Sequence, residues 1–166
     1  GKRINQALII SGIDPGSRYC GYGLLEMENR RVIAAGCETI DVSRQPSLGD
    51  RLKALYDSIL QVICEYSPEV AAVESMFFHR QIRSIFTLGQ ARGVILLALA
   101  KEGIPLVEYS PREIKKSVVG NGNATKQQVR YMINQLYSLQ NKPHHDDAYD
   151  ALAIATCHFN RMKWAK

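Results

Sequence analysis

Apolar residues crowd the first forty positions in three runs, Ala7 to Asp14, Gly21 to Met27 and Val32 to Ile40, each of strand length. Glu28-Asn29-Arg30-Arg31 suits a hairpin, and short connections of this kind make consecutive strands antiparallel. The three runs therefore predict a meander whose first strand lies near the middle of the eventual sheet. From Ser47 the spacing changes. Leu48, Leu52, Leu55, Ile59 and Ile63 recur at intervals of four and three, the mark of an amphipathic helix, which Ser67-Pro68 ends. Val70 to Glu74 is a short buried strand that finishes in an acid, as the first strand does.

Arg80 to Lys101 reads as a long helix, apolar on most sides from Val94 to Ala100, and such a helix is buried in the core or shared with a partner chain. Ile104 to Tyr109 is a fifth strand. Ser110-Pro111-Arg112-Glu113 combines capping-box spacing with proline at the first helical position, so a helix starts there. Gly120 to Asn123 is a loop. Thr125 and Gln128 cap the next helix, with a buried stripe of Val129, Met132, Ile133 and Leu136. After a break at Gln140-Asn141-Lys142-Pro143, a last helix runs from about His145 to Met162, where Ala148, Ala151 and Ala155 allow close packing on a sheet. The order of elements predicts an α/β fold, a mixed five-stranded sheet flanked by helices, in one domain over residues 1–166.

Composition narrows the class. No apolar stretch is long enough to span a bilayer. Four scattered cysteines (Cys20, Cys37, Cys64, Cys157) lack metal-ligand spacing, and with no secretory signal in view they read as free thiols of a cytoplasmic protein. The net charge of +5 suits a polyanionic partner.

The chemistry gathers on acids. Asp14 ends the first strand and is followed at once by the sharp turn of Pro15-Gly16. Glu74 ends another predicted central strand, so the two side chains meet at one sheet edge if those strands are neighbours. Asp147 and Asp150 are three apart on the last helix and share a face; Asp146 with Asp150 also satisfies helical spacing, and pattern alone does not choose. Converging carboxylates repel unless a cation joins them. Oxygen-only ligands suit Mg²⁺ or Mn²⁺ rather than Zn²⁺, and two such ions roughly 3.5–4 Å apart support phosphodiester hydrolysis.

Basic residues flank the acids. Phe77-Phe78-His79-Arg80, with Arg83 one turn on, sets aromatics beside cations just after Glu74, which suits base stacking with phosphate contact. Lys115, Lys116, Lys126 and Arg130 form a second basic group on the two helices around the glycine loop, and Arg18 lies just past Asp14.

Gly12-Ile13-Asp14-Pro15-Gly16-Ser17 with Gly21-Tyr22-Gly23 resembles the opening of the RuvC family of bacterial Holliday-junction resolvases. So do Glu74-Ser75-Met76-Phe77, Leu88-Gly89-Gln90-Ala91-Arg92-Gly93, Lys115 to Gly120, and Asp147 to Ala155. Each motif is short, but five in the right order from about residue 7 to 160 are specific. The resemblance implies an RNase H-like fold (retroviral-integrase-like superfamily) and a homodimer that cuts four-way DNA junctions by paired symmetrical nicks. It implies a catalytic tetrad of Asp14, Glu74, Asp147 and Asp150 that binds divalent metal, usually Mg²⁺; Mn²⁺ as substitute and two ions per site follow from the oxygen-ligand chemistry. It also selects Asp147 over Asp146. Some members carry histidine at the position of Asp147, and His144 and His145 lie close by here as expected helix-start residues. The resemblance further places Phe77 at the junction centre and Lys115 and Lys126 on DNA phosphates, and alone suggests a branch-migration motor complex as partner. The expected dimer face is the helix around Leu88 to Leu99, with its small Gly89, Ala91, Gly93 and Ala98.

Three rivals remain. Another RNase H-like enzyme would cut RNA–DNA hybrids or transfer strands. A non-catalytic junction-binding protein would not need all four acids. An actin-like ATPase shares the Gly-x-Asp-x-Gly opening but needs a longer chain and a second phosphate loop.

Overall fold

The computed structural model describes residues 7–76, 82–139 and 145–162, the side chains of residues 82–84 excepted. The meander is there: β1 (Leu8–Asp14), β2 (Tyr19–Glu28) and β3 (Arg31–Asp41) pair antiparallel in sequence order. Asn29 and Arg30 close the second hairpin with φ of 51° and 63°, a two-residue turn whose twist matches the strands. The turn is tighter than the four residues expected, and the strands are correspondingly longer. The helix α1 (Leu48–Tyr66) starts at its Ser47 cap and ends at Ser67 in the left-handed region. β4 (Val70–Glu74) then joins β1 in parallel, α2 (Ile82–Lys101) crosses over, and β5 (Leu106–Tyr109) adds in parallel to β4. The sheet order is β3-β2-β1-β4-β5, mixed, with β1 at its centre.

Three helices close the chain: α3 (Pro111–Val119), α4 (Lys126–Tyr137) and α5 (Asp146–Met162). Both predicted capping boxes form, Ser110 with Glu113 and Thr125 with Gln128. Alternation along the strands divides the apolar residues into two cores. Ile13, Ala71 and Val73 pack with α1 and α2, whereas Ile10, Val70 and Ala72 pack with α3, α4 and α5.

The packing of α5 is set by what the strands lack. Gly12 and Gly23 are cross-strand partners, and Gly21 lies opposite Asp14. A Cβ on Gly12 would overlap the Ala151 carbonyl oxygen, one on Gly21 the Asp147 carbonyl oxygen, and one on Gly23 the Leu152 backbone. On the helix side Ala148, Ala151 and Ala155 are fully buried. Small residues on both surfaces bring the α5 backbone down onto β1 and β2.

Two expected faces are corrected. Leu136 belongs by period to the buried stripe of α4 but is 51% exposed, leaving Val129 and Ile133 as the buried anchors. On α2, Ala91 and Ala98 lie in the core, while Phe86, Leu96 and Leu97 face outward. An all-round apolar helix does not announce which side meets the sheet. Among the described residues no helix is long and apolar enough to cross a membrane, and the four cysteines are unbridged.

Candidate active site

Ile13 lies opposite Val73 in the parallel β1–β4 register, so Asp14 and Glu74 leave the sheet together at one edge. Strand alternation turns both toward α5, the side occupied by Ile10 and Ala72. The glycine-floored contact then lowers the first turns of α5 onto that edge. Asp14, Asp147 and Asp150 bring carboxylate oxygens within 4.8 Å of one another. Glu74 is outside that set of three but lines the same cleft, about 270 Å³ in volume, with Pro15, Leu88, Lys115 and Lys126.

Burial and like charge dominate the electrostatics of the cleft. Burial, then the charges of Asp150, Asp147 and Glu74, hold the Asp14 carboxyl well above the usual carboxylate range, against a smaller opposing pull from Lys126. Asp147 is also raised, by burial and then by Asp150. Lys126 Nζ stands 3.3 Å from Asp150 Oδ2, and this carboxylate in turn strengthens the lysine's hold on its proton. All donors in the cluster are hard oxygens of acidic residues, the set that fits Mg²⁺ or Mn²⁺.

Geometry separates the two adjacent aspartates. Asp146 is exposed and bonds Arg130 Nη1 at 2.7 Å, which lowers its pKa, whereas Asp147 turns inward to Asp14 and Asp150. Arg130 also lies over the Tyr149 ring, 5.9 Å from its centroid. His145 is exposed and stacks on Tyr19 with ring centroids 5.9 Å apart.

The basic residues divide as well. Lys115 and Lys126 face the cleft; Lys116 is exposed in the last turn of α3 and does not line it. Phe77, Phe78, His79, Arg80 and His144 lie outside the described residues, and Arg83 is placed in α2 by its backbone alone. Spacing and motif attach no role to Arg92. It is a buried arginine whose Nη1 donates to the Glu74 carbonyl oxygen at 3.3 Å and whose Nη2 pairs with Glu108. The sequence marks it only as a member of the Leu88 to Gly93 motif and as a charge just before the apolar stretch of α2.

Residues 10–158 match the family model described as crossover junction endodeoxyribonuclease RuvC. The crossover junction endodeoxyribonuclease RuvC of Heliobacterium modesticaldum is 41% identical, covering 95% of this chain and 97% of its own length. That of Hahella chejuensis is 46% identical, covering 94% and 90%. Among solved structures, Thermus thermophilus RuvC in complex with Holliday junction substrate superposes with a TM-score of 0.84 at 30% identity, over 94% of this chain and 95% of that one.

Proposed function

The chain belongs to the RuvC family of crossover junction endodeoxyribonucleases, with the RNase H-like α/β fold of that family, and on this footing we propose that it resolves four-way DNA junctions by paired symmetrical nicks. The observation that carries the reading is the convergence of Asp14, Asp147 and Asp150 beside Glu74 in a cleft that also receives Lys115 and Lys126.

In this reading Asp14, Glu74 and Asp150 hold divalent metal directly and Asp147 completes the set. Four carboxylates carry enough negative charge for two ions per site. A divalent cation bound there, Mg²⁺ with Mn²⁺ as substitute, supplies Lewis acidity that activates water and offsets charge on the scissile phosphate. The chain's own groups do the rest. Burial and the neighbouring carboxylates hold Asp14 and Asp147 above the usual carboxylate range, a repulsion that a bound cation would relieve. Lys126 and Lys115 turn positive charge into the cleft, where they orient a phosphodiester against the acids. No nucleophilic side chain is needed, and hydrolysis proceeds without a covalent enzyme intermediate. Phe77 and Phe78 with Arg80 and Arg83 follow Glu74 directly in sequence, which suits contacts to the junction itself; Lys116 serves as an outer phosphate contact.

Two symmetrical nicks need two sites related by a two-fold axis. A second copy docked on the outward face of α2 supplies them, and the exposed Phe86, Leu96 and Leu97 support that face. A branch-migration motor complex as further partner rests on the family resemblance alone. The described strands form one sheet, in keeping with a single RNase H-like domain.

The test is nicking of a labelled immobile-core junction in Mg²⁺, with linear duplex and RNA–DNA hybrid controls and Asp14→Asn alongside. Paired symmetrical nicks confined to the junction and lost in the variant are expected. Cleavage of the hybrid would move the reading to another RNase H-like nuclease, and tight junction binding without cleavage would make the protein a binding module.

A further inference from the structure

Among the described residues Arg92 is the one charged side chain that is buried, 9% exposed, on the side of α2 that carries Ala91 and Ile95 into the core. A guanidinium is placed there only if its donors and its charge are met. Glu108 on β5 meets the charge, with its own side chain at 46% exposure, and the Glu74 carbonyl oxygen accepts from Nη1 at 3.3 Å.

The strand register explains why that carbonyl is the one chosen. The Ala71 and Ser75 N–H groups donate to Pro105 O, just before β5, at 3.0 Å and to Tyr109 O, at its end, at 2.8 Å. Odd-numbered residues of β4 thus turn their backbone groups toward β5, and Glu74 turns its own toward β1. With Ile13 opposite Val73, the ladder donor due to the Glu74 carbonyl belongs to residue 15. Residue 15 is Pro15, which has no N–H. The turn that aims Asp14 therefore removes a ladder bond from Glu74, and Arg92 reaches in from α2 with a donor. One peptide unit is held at both ends: its carbonyl by Arg92, its N–H, that of Ser75, by Tyr109.

We propose that Arg92, braced by Glu108, is a positioning residue that sets the backbone of Glu74 and through it the aim of the Glu74 carboxylate into the metal cleft. The proposal rests on the reading of Glu74 as a metal-holding acid. It assigns Arg92 no contact with DNA or metal. Lysine is a poor replacement, since a single ammonium lacks the planar fork that serves a carboxylate and a carbonyl at once.

The experiment follows Mn²⁺ binding to the full chain without DNA, by the loss of the free-ion electron paramagnetic resonance signal. Alongside it run the Mg²⁺ midpoint of junction cleavage and the melting temperature. Arg92→Gln is expected to weaken Mn²⁺ binding and raise the Mg²⁺ midpoint by about tenfold, the lower end of what losing an outer partner of a metal ligand costs. The rate at saturating Mg²⁺ recovers most of the wild-type value. Arg92→Lys and Glu108→Gln shift the midpoint less, in the same direction, and carry the test if Arg92→Gln fails to fold. A lower melting temperature or saturated rate with unmoved Mn²⁺ affinity in these variants would overturn the proposal. Glu74→Gln separates the two claims: if it leaves Mn²⁺ binding and cleavage intact, the reading of Glu74 is wrong. If it abolishes both while the Arg92 variants bind Mn²⁺ normally, only the positioning role is wrong.

Discussion

Lys126 Nζ stands 3.3 Å from Asp150 Oδ2, so an ammonium on α4 and a carboxylate on α5 meet at the mouth of the acidic cleft. The lysine side chain is 71% exposed and the aspartate 26%, so the pair is wet on the lysine side and adds little to folding. In the proposed function its value lies in charge placed beside the phosphate path. Lys126→Gln should weaken junction binding and reduce the slope of log affinity against log salt by roughly one, as expected for one lost phosphate contact. Binding measured across a salt series, with Ca²⁺ in place of Mg²⁺, checks this. An unchanged slope would make Lys126 a partner of Asp150 alone.

Asp146 and Asp147 give a sharper contrast because they are adjacent. Asp147→Asn removes a member of the inward cluster and should lower cleavage by more than about 100-fold, beyond the usual loss for an outer partner of a metal ligand. Asp146→Asn loses a solvent-facing partner of Arg130 and should leave cleavage within roughly threefold and melting near wild type. Single-turnover cleavage of the same junction by the two variants decides it, and equal losses would sink the distinction.

The glycine floor under α5 makes a prediction about geometry rather than charge. In Gly21→Ala the new methyl meets the Asp147 carbonyl oxygen, part of the helix backbone that cannot swing aside. Overpacking of this kind costs about 1–3 kcal/mol, a fall of several degrees in melting temperature. Because the displaced residue is Asp147, Mg²⁺-dependent cleavage should fall further than the unfolded fraction explains at a temperature where circular dichroism shows the variant folded. A variant that melts lower but cleaves normally would mean α5 lifts without moving its acids.

Phe86 and Leu97, with Gly93 between them, form a stripe at helical spacing on the outer face of α2 and are 72% and 60% exposed. If this stripe seats a second copy, Leu97→Arg should shift sedimentation from dimer to monomer and convert paired nicks into single ones. A dimer that survives the change would move the interface elsewhere.

The strand runs, both capping boxes and the central place of β1 are legible in the sequence because they follow from local spacing. The acids at the ends of β1 and β4 are legible too, from where the apolar runs stop. What stays hidden depends on contacts between distant segments. By spacing Asp146 and Asp147 both suit a helix face with Asp150; the resemblance selects Asp147, and the physical reason, Asp147 turned in to Asp14 while Asp146 meets Arg130 from α4, lies in the fold. Gly12, Gly21 and Gly23 stand out in the sequence, yet their purpose is an absence of side chain beneath α5. Leu136 fits its stripe by period but lies on a stretch of α4 that nothing described covers, and Arg92 gains its meaning only from Pro15, at the end of another strand.

The raised Asp14 and Asp147 carboxyls tie stability to pH and metal. For an acid whose pKa is higher folded than unfolded, the folded state binds the extra proton between the two values. That stability is full below the ordinary value of 3.8 and is lost as pH rises through the raised values. Metal-free protein should therefore lose stability as pH rises through those values and the two groups ionise. Asp14→Asn removes the most strongly shifted charge. At neutral pH without divalent metal it should melt above wild type, by roughly 3 °C for each kcal/mol of repulsion and desolvation relieved. The gap should narrow toward pH 4, where the wild-type group is neutral, and again on adding Mg²⁺, which stabilises wild type by binding its acids. Melting curves at several pH values, with EDTA and with Mg²⁺, test all three. A variant that melts no higher than wild type in EDTA at neutral pH would show that Asp14 carries no strain in the empty cluster.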